Sequence, residues 1–184
     1  MLDTDQRRKL LEVARASIKV AVTRANPPDL NTDDADLTRV QGAFVTLKKR
    51  GELRGCIGYI EGIAPLIETV ARMARAAALE DPRFPAVTAD EVDDLDIEIS
   101  VMSPLIDVTD VAEIEIGRDG LIISSGGSRG LLLPQVAVEW GWTVEEFLCH
   151  TCMKAGLPTD AWRGDCHIER FEADVFGERE MRSC

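Results

Sequence analysis

The sequence has no apolar run approaching the roughly 20 residues that cross a bilayer, so no helical membrane span is expected. It is short of positive charge: 21 Lys and Arg stand against 33 Asp and Glu, a formal net charge of −12. A duplex nucleic-acid binder gains non-specific affinity by neutralising phosphates, so this deficit argues against general duplex binding. Internal repeats and low-complexity linkers are absent. The opening residues, Met1 to Arg8, are polar, with no apolar signal segment behind them. A soluble, cytoplasmic protein is the expectation. The cysteines, Cys56, Cys149, Cys152, Cys166 and Cys184, are odd in number. Without an export signal they read as reduced thiols rather than a disulfide framework.

What is present is an ordinary globular composition, 45% hydrophobic and 29% charged, which excludes disorder. A chain of 184 residues suits one domain, or two small lobes sharing a core. It buries roughly 70% of its unfolded surface and needs no disulfide or metal to fold. The charge is uneven. Met1 to Arg24 carries a balance of +3 and Arg39 to Arg54 a balance of +4, whereas Thr88 to Asp119 carries −10. Most of these charges read as solvated surface. The basic stretch ending at Arg54 nevertheless leaves room for an anionic ligand inside an acidic protein.

Apolar spacing predicts a helix over Asp5 to Ala25, with Leu11, Ala14, Ile18 and Ala21 on one face and Asp3 or Thr4 as cap. Val40 to Leu47 and Glu52 to Ile60 read as a hairpin around Lys48 to Gly51. Pro65 opens a second helix, whose stripe is Leu66, Val70, Met73, Ala74 and Ala77. Thr88 with Glu91, and Thr143 with Glu146, look like capping boxes. Leu95 to Met102 alternates apolar and polar residues as a strand does. Gly120 to Ser125 and Gly130 to Leu133 form a second predicted hairpin, and Ile168 to Val175 a last strand. Gly126 to Gly130 lacks the Gly-Lys-Ser/Thr ending of a phosphate loop and reads as a turn. Hairpins and helices without β-α-β alternation give an α+β fold, with a mixed or antiparallel sheet flanked by helices.

The densest chemical signal is Leu53-Arg54-Gly55-Cys56-Ile57-Gly58. On a regular strand Leu53 and Ile57 face one way, and Arg54 and Cys56 the other. Two residues span about 6.6 Å, so the guanidinium can approach the thiol and favour thiolate. Gly55 and Gly58 remove bulk and let a ligand or another backbone come close. The alternative is a structural cysteine in a glycine-kinked hairpin.

This hexapeptide resembles the signature of the AMMECR family, also called AmmeMemoRadiSam system protein A in prokaryotes. The likeness extends to Gly42 to Leu47, Asp81-Pro82-Arg83-Phe84, Ile97 to Val101, Gly120-Leu121 and Leu133 to Ala137. It continues through Gly141-Trp142, Glu146 to Leu148, His150 to Cys152 and Lys154 to Pro158. Together these cover most of the chain, in order, as a single domain of this type over residues 1–184. The resemblance implies a compact fold of a larger and a smaller lobe, with a groove near the hexapeptide. It also implies association with a Memo-like protein and a radical S-adenosylmethionine enzyme. It supplies no established reaction and no cofactor. Cys149 departs from the family pattern.

Other residues complete the candidate set. Cys149, Cys152, Cys166 and His167 have the elements of a zinc site, but the first pair lies inside a predicted helix, so no metal is expected. Asp96, Glu98 and Ser100 share the polar face of their strand, where carboxylates do acid–base work or are merely solvated. His150 is a candidate base for a cysteine nucleophile, or a surface histidine on a helix. Arg83 is either a second anion contact or part of a loop ion pair. Two functions remain open. One is an enzyme or substrate-modifying subunit built on Cys56, Glu98 and His150, with Arg54, Gly55, Gly58 and Arg83 holding an anionic ligand. The other is a non-catalytic binding or docking partner, in which the hexapeptide is a packing or recognition element.

Overall fold

The computed structural model describes residues 2–23 and 25–182; Cys184, expected as a free thiol, lies outside them. The chain divides into two compact units, Met1–Met102 with Asp174–Cys184, and Ser103–Ala173.

The first unit opens with α1 (Thr4–Val22), capped by Asp3 in a reciprocal box with Gln6. It ends short of the expected Ala25 because Thr23 turns extended and offers both its N–H and its hydroxyl to the Lys19 carbonyl. After a short α2 (Ala35–Thr38) come β1 (Ala43–Lys49) and β2 (Glu52–Tyr59). Val40, expected at the start of the first strand, instead forms an isolated bridge with Pro65. Pro65 is the N-cap of α3 (Leu66–Leu79), and the whole predicted stripe of α3 is buried. The Thr88/Glu91 box opens a 3₁₀ turn over Ala89–Asp94. Then β3 (Leu95–Met102) pairs antiparallel with β1, which pairs antiparallel with β2. One sheet face, carrying Val45, Leu47, Ile97 and Ile99, is buried in a single core with α1 and α3. This division of faces follows from the alternation of side chains along each strand.

In the second unit β4 (Ile106–Asp107) and β5 (Asp119–Ser125) flank the long β7 (His167–Gly177), and β6 (Ser128–Leu132) pairs with β5. The predicted hairpin is present, turning at Gly126 and Gly127, both at positive φ. Between β6 and β7 lie α4 (Pro134–Trp140), which ends on the left-handed Gly141, and α5 (Val144–Lys154), capped by the Thr143/Glu146 box. Leu121, Ile123, Phe147, Leu148 and Cys152 belong to this unit's own core. The end of β7 returns to the first unit, where Gly177 lies against Ile97 and Glu98 of β3. A final short helix, α6 (Glu178–Arg182), follows. The architecture is α+β with antiparallel strand pairing, as expected.

Candidate functional site

The hexapeptide lies on β2, the edge of the first unit's sheet, and its pairing is irregular. Lys49 faces Glu52 and Lys48 faces Leu53, but Leu47 faces Gly55 and Thr46 faces Cys56, so Arg54 is the extra residue of a bulge. A bulge breaks the two-residue period and re-aims a side chain. Regular pairing would set Arg54 and Cys56 opposite Leu47 and Val45, both fully buried in the core. The bulge instead puts Gly55 and Ile57 on the core face and Cys56 on the outer face. The expected alternation, with Arg54 and Cys56 together, therefore does not hold.

Arg54 is aimed at the Pro85–Glu91 segment. Its guanidinium donates to both Glu91 oxygens (2.9 and 3.3 Å) and to the Pro85 and Ala86 carbonyls (2.9 and 3.4 Å). The side chain is only 13% exposed. Glu91 also accepts from Lys49 Nζ at 2.9 Å and from the Thr88 N–H at 3.1 Å. Hydrogen bonds from Arg54, then Lys49, hold the Glu91 carboxyl far below its ordinary range. The basic stretch of the sequence is thus answered by the acidic one, since Lys48 likewise bonds Glu98 at 2.9 Å.

The arginine beside Cys56 is Arg83. As β2 is an edge strand, the Cys56 N–H and carbonyl point away from β1, and both are taken up. Asp81 accepts from the Cys56 N–H at 2.8 Å, and Arg83 donates to the Cys56 carbonyl at 3.3 Å. Asp81 and Arg83 are joined by a bidentate pair of 2.7 and 2.9 Å. The Asp81 side chain is 2% exposed, and hydrogen bonds from Arg83 hold its carboxyl far below the usual carboxylate pKa range. Covering an edge in this way blocks strand addition. It also fixes Cys56 at the backbone, and Arg83 is a loop ion pair with a structural task.

With its N–H turned outward, Cys56 makes a non-hydrogen-bonded pair with Thr46, the closer of the two cross-strand arrangements. The Thr46 hydroxyl donates to Cys56 Sγ at 3.3 Å. Thr46 also faces Glu98 on β3, so Cys56, Thr46 and Glu98 form one row across three strands. Lys48, two residues along β1, anchors Glu98. Two strand spacings, about 10 Å, separate the Cys56 and Glu98 backbones. Glu98 does not reach the thiol directly, but a substrate lying over β1 meets both groups. The row is half-buried.

The two glycines are packing positions. A Cβ on Gly55 would stand 2.1 Å from the Ala77 carbonyl oxygen of α3, and one on Gly58 would stand 2.4 Å from the Phe44 ring. Beside them, Lys49, Arg50, Glu52, Leu53 and Arg54 line a cleft of about 290 Å³ at the hairpin tip.

His150 belongs to the second unit. Its ring stacks on Trp142, with centroids 3.9 Å apart and planes 5° from parallel. Burial pushes the Cys152 thiol up. Cys149 and Cys152 lie on α5, and His167 bonds Asp107 at 2.9 Å rather than a cysteine. Among the described residues, the group of His, Cys and carboxylate ligand atoms that does converge is Asp107, His167 and Glu169, within 4.8 Å of one another. Asp107 and His167 are exposed and Glu169 pairs with Arg129 at 3.7 Å, so an ion-pair network accounts for them. Thr46, Lys48 and Asp81 were not singled out in the sequence. Asp81 was legible as the buried partner that Arg83 requires, whereas Thr46 depends on a register the bulge conceals.

Two α+β units, one of them presenting a backbone-clamped cysteine on the outer face of its sheet, define an α+β protein with a candidate thiol site. The chain belongs to the AMMECR1 family, whose model matches residues 11–176. It is 47% identical over 185 residues to a protein of Methanothermobacter thermautotrophicus, covering 96% of each chain. It is 53% identical over 151 residues to protein MJ0810 of Methanocaldococcus jannaschii, covering 77% of this chain and 75% of that one. The crystal structure of an uncharacterised protein, PH0010 from Pyrococcus horikoshii, is similar with a TM-score of 0.82 and 40% identity, over 92% of this chain and 89% of that one.

Proposed function

We propose that this AMMECR1-family protein is an enzyme or substrate-modifying subunit that works through Cys56 on an anionic ligand, in a system with a Memo-like protein and a radical S-adenosylmethionine enzyme. The observation that carries the reading is the row of Cys56, Thr46 and Glu98, with Lys48 on Glu98. It combines a sulfur proposed as nucleophile or redox group, a hydroxyl donor on that sulfur, and a held carboxylate for proton transfer on the substrate. The anionic end of the ligand is assigned to the hairpin-tip cleft beside Arg54. There Arg50 has no ion pair of its own, and the other cations already serve Glu91.

The test joins chemistry to biology. Cys56 should be alkylated in the native protein well before the buried Cys152, and Cys56→Ser should fold yet fail to complement a deletion strain. Alkylation of Cys56 only on unfolding, or full complementation by Cys56→Ser, removes the thiol role. A second reading, a non-catalytic docking partner, is favoured by one observation: Gly55, Gly58 and the Cys56 backbone are all committed to internal packing. Complementation by a folded Cys56→Ser would leave that reading in place.

A further inference from the structure

A second cavity lies in the first unit, and no residue of the Cys56 row lines it. Its volume is about 280 Å³, near the roughly 300 Å³ at which small-molecule pockets begin. The apolar wall is Val20 of α1, Pro27, Pro28 and Leu30 of the following loop, and Ala71 of α3. The prolines fix their own backbone angles, so that wall is stiff. At the mouth stand Arg72 and Arg75, one helical turn apart on the exposed side of α3, with Glu68 one turn before Arg72.

Their lack of ion pairs is unusual for this chain. With 33 carboxylates present, almost every described arginine side chain has an ion pair; the exceptions are Arg50, Arg72 and Arg75. Two of the three border this one cavity. Among the described residues Glu68 is the only carboxylate lining it, and no ion pair joins it to either arginine, so the described mouth carries a net positive charge. A guanidinium matches a planar oxyanion with two parallel N–H donors. Stiff apolar walls below two free guanidinium groups complement a molecule with an apolar body and an anionic head.

We propose that this cavity binds a small amphipathic carboxylate, its head on Arg72 and Arg75 and its aryl or branched aliphatic body against Val20, Pro27, Pro28 and Leu30. The inference does not depend on the Cys56 reading. The experiment is an amide NMR titration of the full chain with phenylacetate, isovalerate and phenyl phosphate, up to about 10 mM. The neutral phenylacetamide is the control. The expected result is shifts confined to α3 around Ala71 to Arg75 and to the loop at Leu30, with the acid binding at least tenfold more tightly than the amide. The double variant Arg72→Gln, Arg75→Gln, at exposed helix positions that Gln tolerates, should keep its melting temperature and its Cys56 alkylation rate but lose binding at least tenfold. Equal affinity for acid and amide, an unaffected double variant, or no shift with any of the three probes overturns the proposal. Preference for phenyl phosphate over the carboxylates would overturn the carboxylate assignment specifically.

Discussion

Gly55→Ala tests the packing at the centre of the hexapeptide. The new methyl would stand 2.1 Å from the Ala77 carbonyl oxygen and 3.1 Å from its carbon. Carbon and oxygen do not approach closer than about 3 Å without something moving, so α3 must retreat by about 1 Å or β2 must leave the sheet. Neither is easy. Ala77 sits in the core on the buried face of α3, and a gap of that size forfeits a quarter to a half of each dispersion contact along the interface. Overpacking typically costs about 1–3 kcal/mol, and an obstacle that is main chain rather than a movable side chain belongs at or above the top of that range, about 3–5 kcal/mol. Against a total of about 5–15 kcal/mol this is a large fraction. With a urea m value of about 2 kcal/mol/M, the midpoint should fall by roughly 2 M. Ala77→Gly should not rescue it, because the oxygen that blocks the methyl remains. A midpoint shift under about 0.3 M for Gly55→Ala, or rescue by Ala77→Gly, would refute the close approach of β2 to α3.

Folding holds the carboxyls of Asp81 and Glu91 below their ordinary pKa range, so their stabilisation is complete above that range and fades as pH falls below about 5. Urea midpoints should be flat from neutrality to that point and then drop. Asp81→Asn should lower stability by about 2–3 kcal/mol at pH 7 and flatten the acid limb, and an unchanged limb would show that Asp81 is not the group being titrated. Arg54→Gln should lose about 1.5–3 kcal/mol by denaturation, since the Pro85 and Ala86 carbonyls and one side of Glu91 lose their donor; a neutral change would mean that water replaces it freely. Thr46→Val keeps the β-branched shape but removes the donor to Cys56 Sγ, so the rate at which iodoacetamide alkylates Cys56 should change severalfold at constant stability. An equal rate would remove Thr46 from the site.

The helices and strands were legible because their signals are local. The stripe of α3 and the capping boxes at Thr88 and Thr143 each involve residues within a turn or two, and all appear as read. The site was less legible because it depends on pairings between distant segments. Arg54 and Arg83 were visible as cations; Asp81, two residues before Arg83, is a local partner, whereas Glu91, which consumes Arg54, is assigned only by tertiary contact. Glu98 was visible as a polar-face residue, whereas its link to Cys56 runs through Thr46 and needs the register of two strand pairs. His150 was visible as a candidate base, and its stack on Trp142 joins residues only eight positions apart, but Trp142 precedes the α5 cap and no helical period marks the contact.

The bulge at Arg54 decides what the hexapeptide can do. Under regular pairing the thiol would lie against Val45 in the core, chemically inert, and Arg54 would bury a charge beside Leu47, at a cost that only a full set of partners offsets. One inserted residue removes both problems. It shifts Cys56 onto the outer face beside Thr46, moves Gly55 into the narrow gap under α3, and lets Arg54 reach Glu91 and two carbonyls at the sheet edge. Gly55 and Arg54 are therefore two halves of one device: the glycine lets the strand pass the helix, and the arginine holds the strand in the shifted register. On this argument the positive charge of the stretch serves first to fix the register, and only Arg50 at the hairpin tip remains for a ligand. An anion drawn to that cleft would have to approach Cys56 along β2 from the tip.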